Sequence, residues 1–129
     1  VRGDDCWTIE KDFAFSASHC LTGLREGHPC ARMHGHNYVV RVRLANSYLN
    51  AQGFVLDYGD LAPFGRWVDE HLDHRHLNDA LPALPNPTAE HLAAALAAQV
   101  RGLLMVPVGA AIAVGVSETP KTWAWWWRE

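Results

Sequence analysis

Apolar and polar residues alternate along the first third of the chain with the period of two that marks strands buried on one side only. Trp7, Ile9, Phe13, Phe15, Ala17 and His19 hold one set of alternate positions. They predict a long half-buried strand with His19 at the end of its apolar face. A loop containing Gly and Pro follows over 21–29. His34, His36, Tyr38, Val40, Val42 and Leu44 then alternate against Asn37, Val39, Arg41 and Arg43, so a second strand puts both histidines on the face that becomes core. A turn-rich stretch over 46–52 leads to Gly53-Phe54-Val55-Leu56, which reads as a third strand in a hairpin with the second.

The period then lengthens. Leu61, Phe64, Trp67, Val68 and Leu72 recur every three or four residues after Asp57 or Asp60 as cap, which predicts an amphipathic helix with Pro63 tolerated in its opening turn. After the Pro-rich loop 81–87, Thr88 followed by Glu90 starts a second helix carrying Leu92, Leu96, Val100 and Leu103 on one stripe. Ile112, Val114 and Val116 alternate as a last strand, and Glu118 continues their face. The order β-β-β-α-α-β predicts an α+β fold, an antiparallel sheet covered by helices.

Composition narrows the setting. A chain of 129 residues, 49% hydrophobic, is the size of one domain with one core, taken as 1–129. Residues 1–5 are polar and charged, unlike a secretory signal, and Arg2-Gly3-Asp4 matches an adhesion tripeptide too short to carry weight. The longest apolar run, 103–116, is too short to cross a bilayer and is broken by Pro107, Gly109 and Gly115. Three cysteines do not make a disulfide scaffold and suit a reducing cytoplasm. The net charge of −3 without a basic block excludes the footprint of a nucleic-acid binder, which leaves a small molecule as ligand.

The candidate chemistry sits on the predicted strands. His34 and His36 project from one strand face, and His19 is the third apolar-facing histidine; three such groups are costly to desolvate unless something pairs with them. Three nitrogens with an open fourth position is the pattern of catalytic zinc, whereas Cys30 as fourth ligand would close the site. Cys6 and Cys20 read as small buried hydrophobes. Asp73-His74 act together only if their helix ends or bends there. Glu118, continuing an apolar face, needs a partner or a pocket. His28, His71, His76 and His91 read as surface or structural.

Phe15-Ser16-Ala17-Ser18-His19, Gly27-His28-Pro29-Cys30-Ala31-Arg32-Met33-His34-Gly35-His36, Leu72-Asp73-His74 with Leu77-Asn78, Pro87-Thr88-Ala89-Glu90 and Ser117-Glu118-Thr119 follow in order. This set resembles the 6-pyruvoyltetrahydropterin synthase family, and most of all its bacterial, carboxy-forming branch in queuosine biosynthesis. The resemblance runs from about Phe13 to Thr119. It implies a tunnelling fold (T-fold): a four-stranded antiparallel sheet with two helices on one face, three subunits closing a barrel and two trimers stacking as a homohexamer, with active sites between subunits. It also implies zinc on His19, His34 and His36, Cys30 as catalytic thiol, Asp73 with His74 as proton relay, and Glu118 as anchor of the pterin.

The implied reaction is that of a lyase. 7,8-dihydroneopterin triphosphate would lose triphosphate and acetaldehyde to give 6-carboxy-5,6,7,8-tetrahydropterin. Three residues separate Cys30 from His34, the interval of the carboxy-forming enzymes. Stopping after triphosphate elimination, with a pyruvoyl product, is the second reading, and a non-catalytic zinc-stabilised module the third. Two features depart from the family pattern: Arg75-His76 after the relay pair and the run Trp123-Ala124-Trp125-Trp126-Trp127, which calls for cover at the barrel edge or by another subunit. Lys11, Arg41 and Arg43 are candidates for the triphosphate.

Overall fold

The computed structural model describes residues 6–128; residues 1–5, with the Arg2-Gly3-Asp4 tripeptide, and 129 lie outside them. The two predicted strands form as β1 (Trp7–His19) and β2 (His34–Asn46) and pair antiparallel along their whole length, with Trp7 opposite Asn46 and His19 opposite His34. Their alternation separates two faces. Phe15, Ala17, Tyr38, Val40, Val42 and Leu44 are buried, while Arg41 and Arg43 on the other face pair with Asp12 and Glu10 at 2.7 and 2.6 Å. Burial deepens along β1, from exposed Trp7 to buried His19.

The helices cover the apolar face. Asp57 caps a 3₁₀ turn at Tyr58–Leu61 by accepting from the Gly59 N–H at 2.9 Å, and α1 (Ala62–His71) continues from it with Pro63 in its first turn. Then come β3 (Arg75–His76), the short α2 (Leu77–Ala80) and α3 (Ala89–Leu103), whose Thr88 cap accepts from the His91 N–H at 3.1 Å. Leu92, Leu96 and Val100 of α3 and Phe64 and Val68 of α1 are buried in the same core as the strands. Leu103, expected on the α3 stripe, is exposed, because the helix ends there.

Three expectations need correction. Residues 53–56 form no strand: the Asn50 side chain accepts from the Gln52 and Phe54 N–H groups at 3.0 Å, and Gly53 at φ +90° closes a tight turn, so the backbone groups are satisfied locally rather than by a ladder. Among the described residues the sheet has five strands, not four. β4 (Ala111–Ser117) pairs antiparallel with β2, β5 (Ala124–Trp127) pairs with β4, and β3 adds parallel to β1 at Ala17 and Ser18, giving the order β3-β1-β2-β4-β5. The Trp-rich tail thus becomes an edge strand, which a Pro-free aromatic run favours. Finally, Cys6 is exposed and Cys20 half-buried rather than core. The α+β class with helices on one sheet face stands, and among the described residues the sheet is open at both edges. Among the described residues no helix is long and apolar enough to cross a membrane.

Candidate metal centre

Register brings the three predicted histidines together. His19 lies opposite His34 and Ala17 opposite His36, so all three imidazoles leave the helix-covered face at one end of the hairpin. Their rings meet edge to face at centroid distances of 4.5, 5.0 and 5.1 Å, and one nitrogen from each lies within 4.8 Å of the others. Tetrahedral zinc with about 2.0–2.1 Å bonds sets its nitrogens about 3.3 Å apart, a separation this cluster reaches with small adjustments.

Hydrogen bonds from the outer nitrogens fix which atoms face inward. His19 Nδ1 stands 2.8 Å from the Pro87 carbonyl and His34 Nδ1 2.7 Å from the Arg32 carbonyl. A carbonyl only accepts, so each Nδ1 is assigned the proton and donates, and each Nε2 keeps its lone pair. Those two Nε2 atoms are 3.0 Å apart. Two lone pairs facing each other at that distance repel, unless a cation sits between them. His36 Nε2 is buried with no hydrogen-bond partner; Glu118 Oε2 at 3.7 Å is close enough for an ionic contact but too far for a hydrogen bond. An orphaned buried polar atom costs about 1–3 kcal/mol, which coordination would remove. The residues therefore fit a metal ion with nitrogen ligands.

Electrostatics support the same state. Burial lowers the pKa of His36 below 6.5, the positive charge that His19 and His34 can carry lowers it further, and the Glu118 carboxylate opposes both. A neutral imidazole is the form that ligates. Tyr38 lies under the cluster, its hydroxyl 3.4 Å from His19 Nδ1, and burial with the nearby Glu118 charge pushes its pKa well up, so it stays a phenol.

The other predicted residues are placed around this cluster rather than in it. Cys30 sits on a 3₁₀ turn (Pro29–Ala31) capped by His28, whose Nδ1 accepts from the Cys30 N–H at 3.0 Å; among the described residues the clustered ligand atoms are those of the three histidines, without Cys30. Glu118 follows β4 and lines a groove of about 280 Å³ with Thr88, Glu90 and Trp123. The sequence marked Glu90 only as a companion of the helix cap. Its place in the first turn of α3 brings a second carboxylate to that groove, a signal that the Thr88-Ala89-Glu90 spacing carried unused.

The Asp73 and His74 side chains meet, because α1 has ended. His74 takes the left-handed φ of +59°, a conformation that costs a non-glycine residue about 1–2 kcal/mol. The turn grips β1 at one residue: Asp73 Oδ1 accepts from the Ser16 N–H at 2.8 Å, and the His74 N–H donates to the Ser16 carbonyl at 2.6 Å. Asp73 Oδ2 then holds His74 Nδ1 at 3.0 Å, leaving the ring outside with the side chain 84% exposed. The Ser16 hydrogen bond, joined by His74, lowers the Asp73 pKa. His74 also lines an open groove of about 490 Å³ with Ser16, Ser18, His36, Asn37 and His76. Of the triphosphate candidates, Arg41 and Arg43 lie over the rings of Trp123 and Trp125 at 4.5 and 4.4 Å while paired with Asp12 and Glu10, and Lys11 donates to the Tyr58 carbonyl at 3.4 Å. The structure gives them partners of their own.

Known proteins resemble this chain in sequence and fold. The profile of the family described as 6-pyruvoyl tetrahydropterin synthase matches residues 8–129. The 6-carboxy-5,6,7,8-tetrahydropterin synthase of Synechocystis sp. is 42% identical over 93 residues, 68% of this chain and 70% of that protein. The Bacillus subtilis protein of the same name is 34% identical over 71 residues, 55% of this chain and 46% of its own length. Among solved structures, the 6-pyruvoyl tetrahydropterin synthase of Caenorhabditis elegans superposes with a TM-score of 0.83 at 25% identity, covering 98% of both chains.

Proposed function

Because the chain belongs to the 6-pyruvoyl tetrahydropterin synthase family, we propose that its 129 residues form one domain that is a zinc-dependent lyase, converting 7,8-dihydroneopterin triphosphate and water to 6-carboxy-5,6,7,8-tetrahydropterin, acetaldehyde and triphosphate, in the cytoplasm, for 7-deazaguanine (queuosine) synthesis. The observation that carries the reading is the cluster of His19, His34 and His36, with two outer nitrogens locked by carbonyls, their Nε2 atoms facing each other at 3.0 Å, and His36 Nε2 buried without a hydrogen-bond partner. Zinc bound there supplies Lewis acidity toward the side-chain hydroxyl oxygens of the substrate. Cys30 takes a side-chain proton as general base. The Asp73-His74 pair moves protons at the hydroxyls, with Asp73 fixing the orientation of the ring through Nδ1. Glu118, with Glu90 beside it in the groove, accepts hydrogen bonds from the pterin ring N–H and amine.

The edges of the sheet support an oligomer. Among the described residues, no strand pairs with the outer side of β1 before Ala17, where only the Asp73-His74 turn meets it at Ser16, and none pairs with the outer side of β5 at the opposite end. Two open edges on one chain pair head to tail between copies and close a ring. We read the assembly as trimers stacked in a homohexamer, in which the exposed His74 of one subunit serves the cluster of another.

The names of the sequence relatives favour the carboxy product, while the structural likeness is to a protein named for the pyruvoyl one. Incubating the zinc-loaded protein with 7,8-dihydroneopterin triphosphate and weighing the products separates the two. 6-Carboxytetrahydropterin with acetaldehyde is expected. A pyruvoyl product without acetaldehyde would move the chain to the pyruvoyl reaction, and intact substrate would overturn the catalytic reading.

A further inference from the structure

Cys20 and Cys30 are free thiols, both half-buried, in segments that one hydrogen bond ties together: the Leu21 N–H donates to the Cys30 carbonyl at 2.9 Å. Standard bond lengths and angles then place the Cys20 and Cys30 Cα atoms about 6 Å apart or less, inside the range that a disulfide spans. The Cys20 backbone is held in that place from its other side, since its N–H donates to Asn78 Oδ1 at 3.0 Å and its carbonyl accepts from Asn78 Nδ2 at 2.9 Å. The chain between the two is an exposed loop turning at Gly23 and Gly27, both with positive φ. A loop with so little packing can turn the two thiols toward each other at small cost.

We infer that Cys20 and Cys30 form a reversible disulfide under peroxide, which withdraws Cys30 from the reaction and shields it from irreversible oxidation. The Cys30 thiolate attacks hydrogen peroxide to give the sulfenic acid and hydroxide; the Cys20 thiol then displaces hydroxide from that sulfur, which leaves as water with the thiol proton. A dithiol reverses the step by exchange. The loss of turnover rests on the role proposed for Cys30 above, whereas the disulfide does not.

The test uses the zinc-loaded protein carrying Cys6→Ser, treated with hydrogen peroxide, alkylated and digested with trypsin without reduction. Cleavage after Lys11, Arg25 and Arg32 puts Cys20 in peptide 12–25 and Cys30 in peptide 26–32. The expected result is one linked mass of the two peptides that collapses on reduction, with turnover lost and at least nine-tenths recovered by dithiothreitol. In Cys20→Ser the same treatment should drive Cys30 to the sulfinic acid with no recovery. Peptide 26–32 carrying sulfinic acid in the protein that retains Cys20, with Cys20 alkylated, would overturn the inference. A linked pair with full turnover would uphold the disulfide and count against Cys30 as the base.

Discussion

Gly115→Ala is expected to destabilise the protein, against the usual sign for that substitution. In a strand interior, alanine normally gains about 0.5–1 kcal/mol over glycine. Here a Cβ on residue 115 would lie 2.7 Å from Cε2 and Cζ2 and 2.9 Å from Cδ2 of Trp125. The indole has to retreat by about 0.7 Å to restore ordinary carbon contact. It is held in place by the Arg43 guanidinium 4.4 Å from its centre, by Trp123 at 5.9 Å, and by the four-residue pairing of β5 with β4 that opposes Gly115 to Trp125. Overpacking of this kind costs about 1–3 kcal/mol, and for a chain of this length that lowers Tm by roughly 4–12 °C. Thermal unfolding by circular dichroism gives Tm, and hydrogen exchange over 124–127 shows whether β5 loosens first. Gly115→Ala in a Trp125→Ala background isolates the clash, because the penalty should vanish once the ring is gone. A Tm unchanged or raised in the single variant, or additive losses in the double one, would refute the account. The effect reaches the site, since the turn from Glu118 to Ala124 that walls the acidic groove hangs between the same two strands.

Zinc at about a hundred times its Kd should stabilise the protein by about 2.7 kcal/mol, a Tm rise near 10 °C, and His36→Ala should lose both the rise and the bound metal; equal shifts in the two proteins would argue against the cluster as the site. Without metal, stability should fall as pH drops below 6.5, because the unfolded chain protonates His36 more readily than the folded one, where burial lowers its pKa; urea unfolding midpoints that are flat from pH 7.5 to 5 in wild type, or as steep in His36→Ala, would contradict this. Asp73→Asn should cut kcat by about 10²- to 10⁴-fold with zinc content unchanged, as expected of lost proton transfer, and a change confined to KM would remove the pair from the relay. Glu118→Gln should raise KM by about 10- to 100-fold, the worth of a hydrogen bond to a charged group, and an unchanged KM would take Glu118 out of pterin binding.

The difference between what the sequence disclosed and what it hid follows the range of the interactions. The strands β1 and β2, though not their pairing with each other, were legible because alternation is local, and a one-residue slip would bury Arg41 and Arg43 in place of Val40 and Val42. The same alternation carried the histidine cluster: His19 on an apolar face, and His34 with His36 two residues apart, required only that the two strands pair for the three rings to meet. Residues 53–56 misled because Val55 is buried and flanked by apolar neighbours, yet Asn50, a residue that polarity alone assigns to a loop, had already taken the hydrogen bonds a strand would need. β3 was invisible for the opposite reason. Two residues carry no period, and they become a strand only because the left-handed turn at His74 swings Arg75 and His76 alongside Ala17 and Ser18.

That turn links the fold to the proposed chemistry. Ending α1 at His71 and reversing the chain at His74 would leave the Asp73 carboxylate to His74 alone, were it not for the Ser16 N–H on the outer side of β1. The carboxylate that orients the His74 ring is therefore the same group that pins the helix terminus to the sheet. Asparagine at 73 can still accept from Ser16, so the fold has a substitute for this residue, but it offers His74 no negative charge when the ring takes a proton. Stability and proton transfer separate at this one position: Asp73→Asn should leave Tm within a few degrees of wild type while Asp73→Ala, which frees the Ser16 N–H as well, should cost about 1–2 kcal/mol of stability, a Tm fall of roughly 4–8 °C. Equal Tm losses in the two variants would mean that the charge, not the hydrogen bond to Ser16, holds the turn.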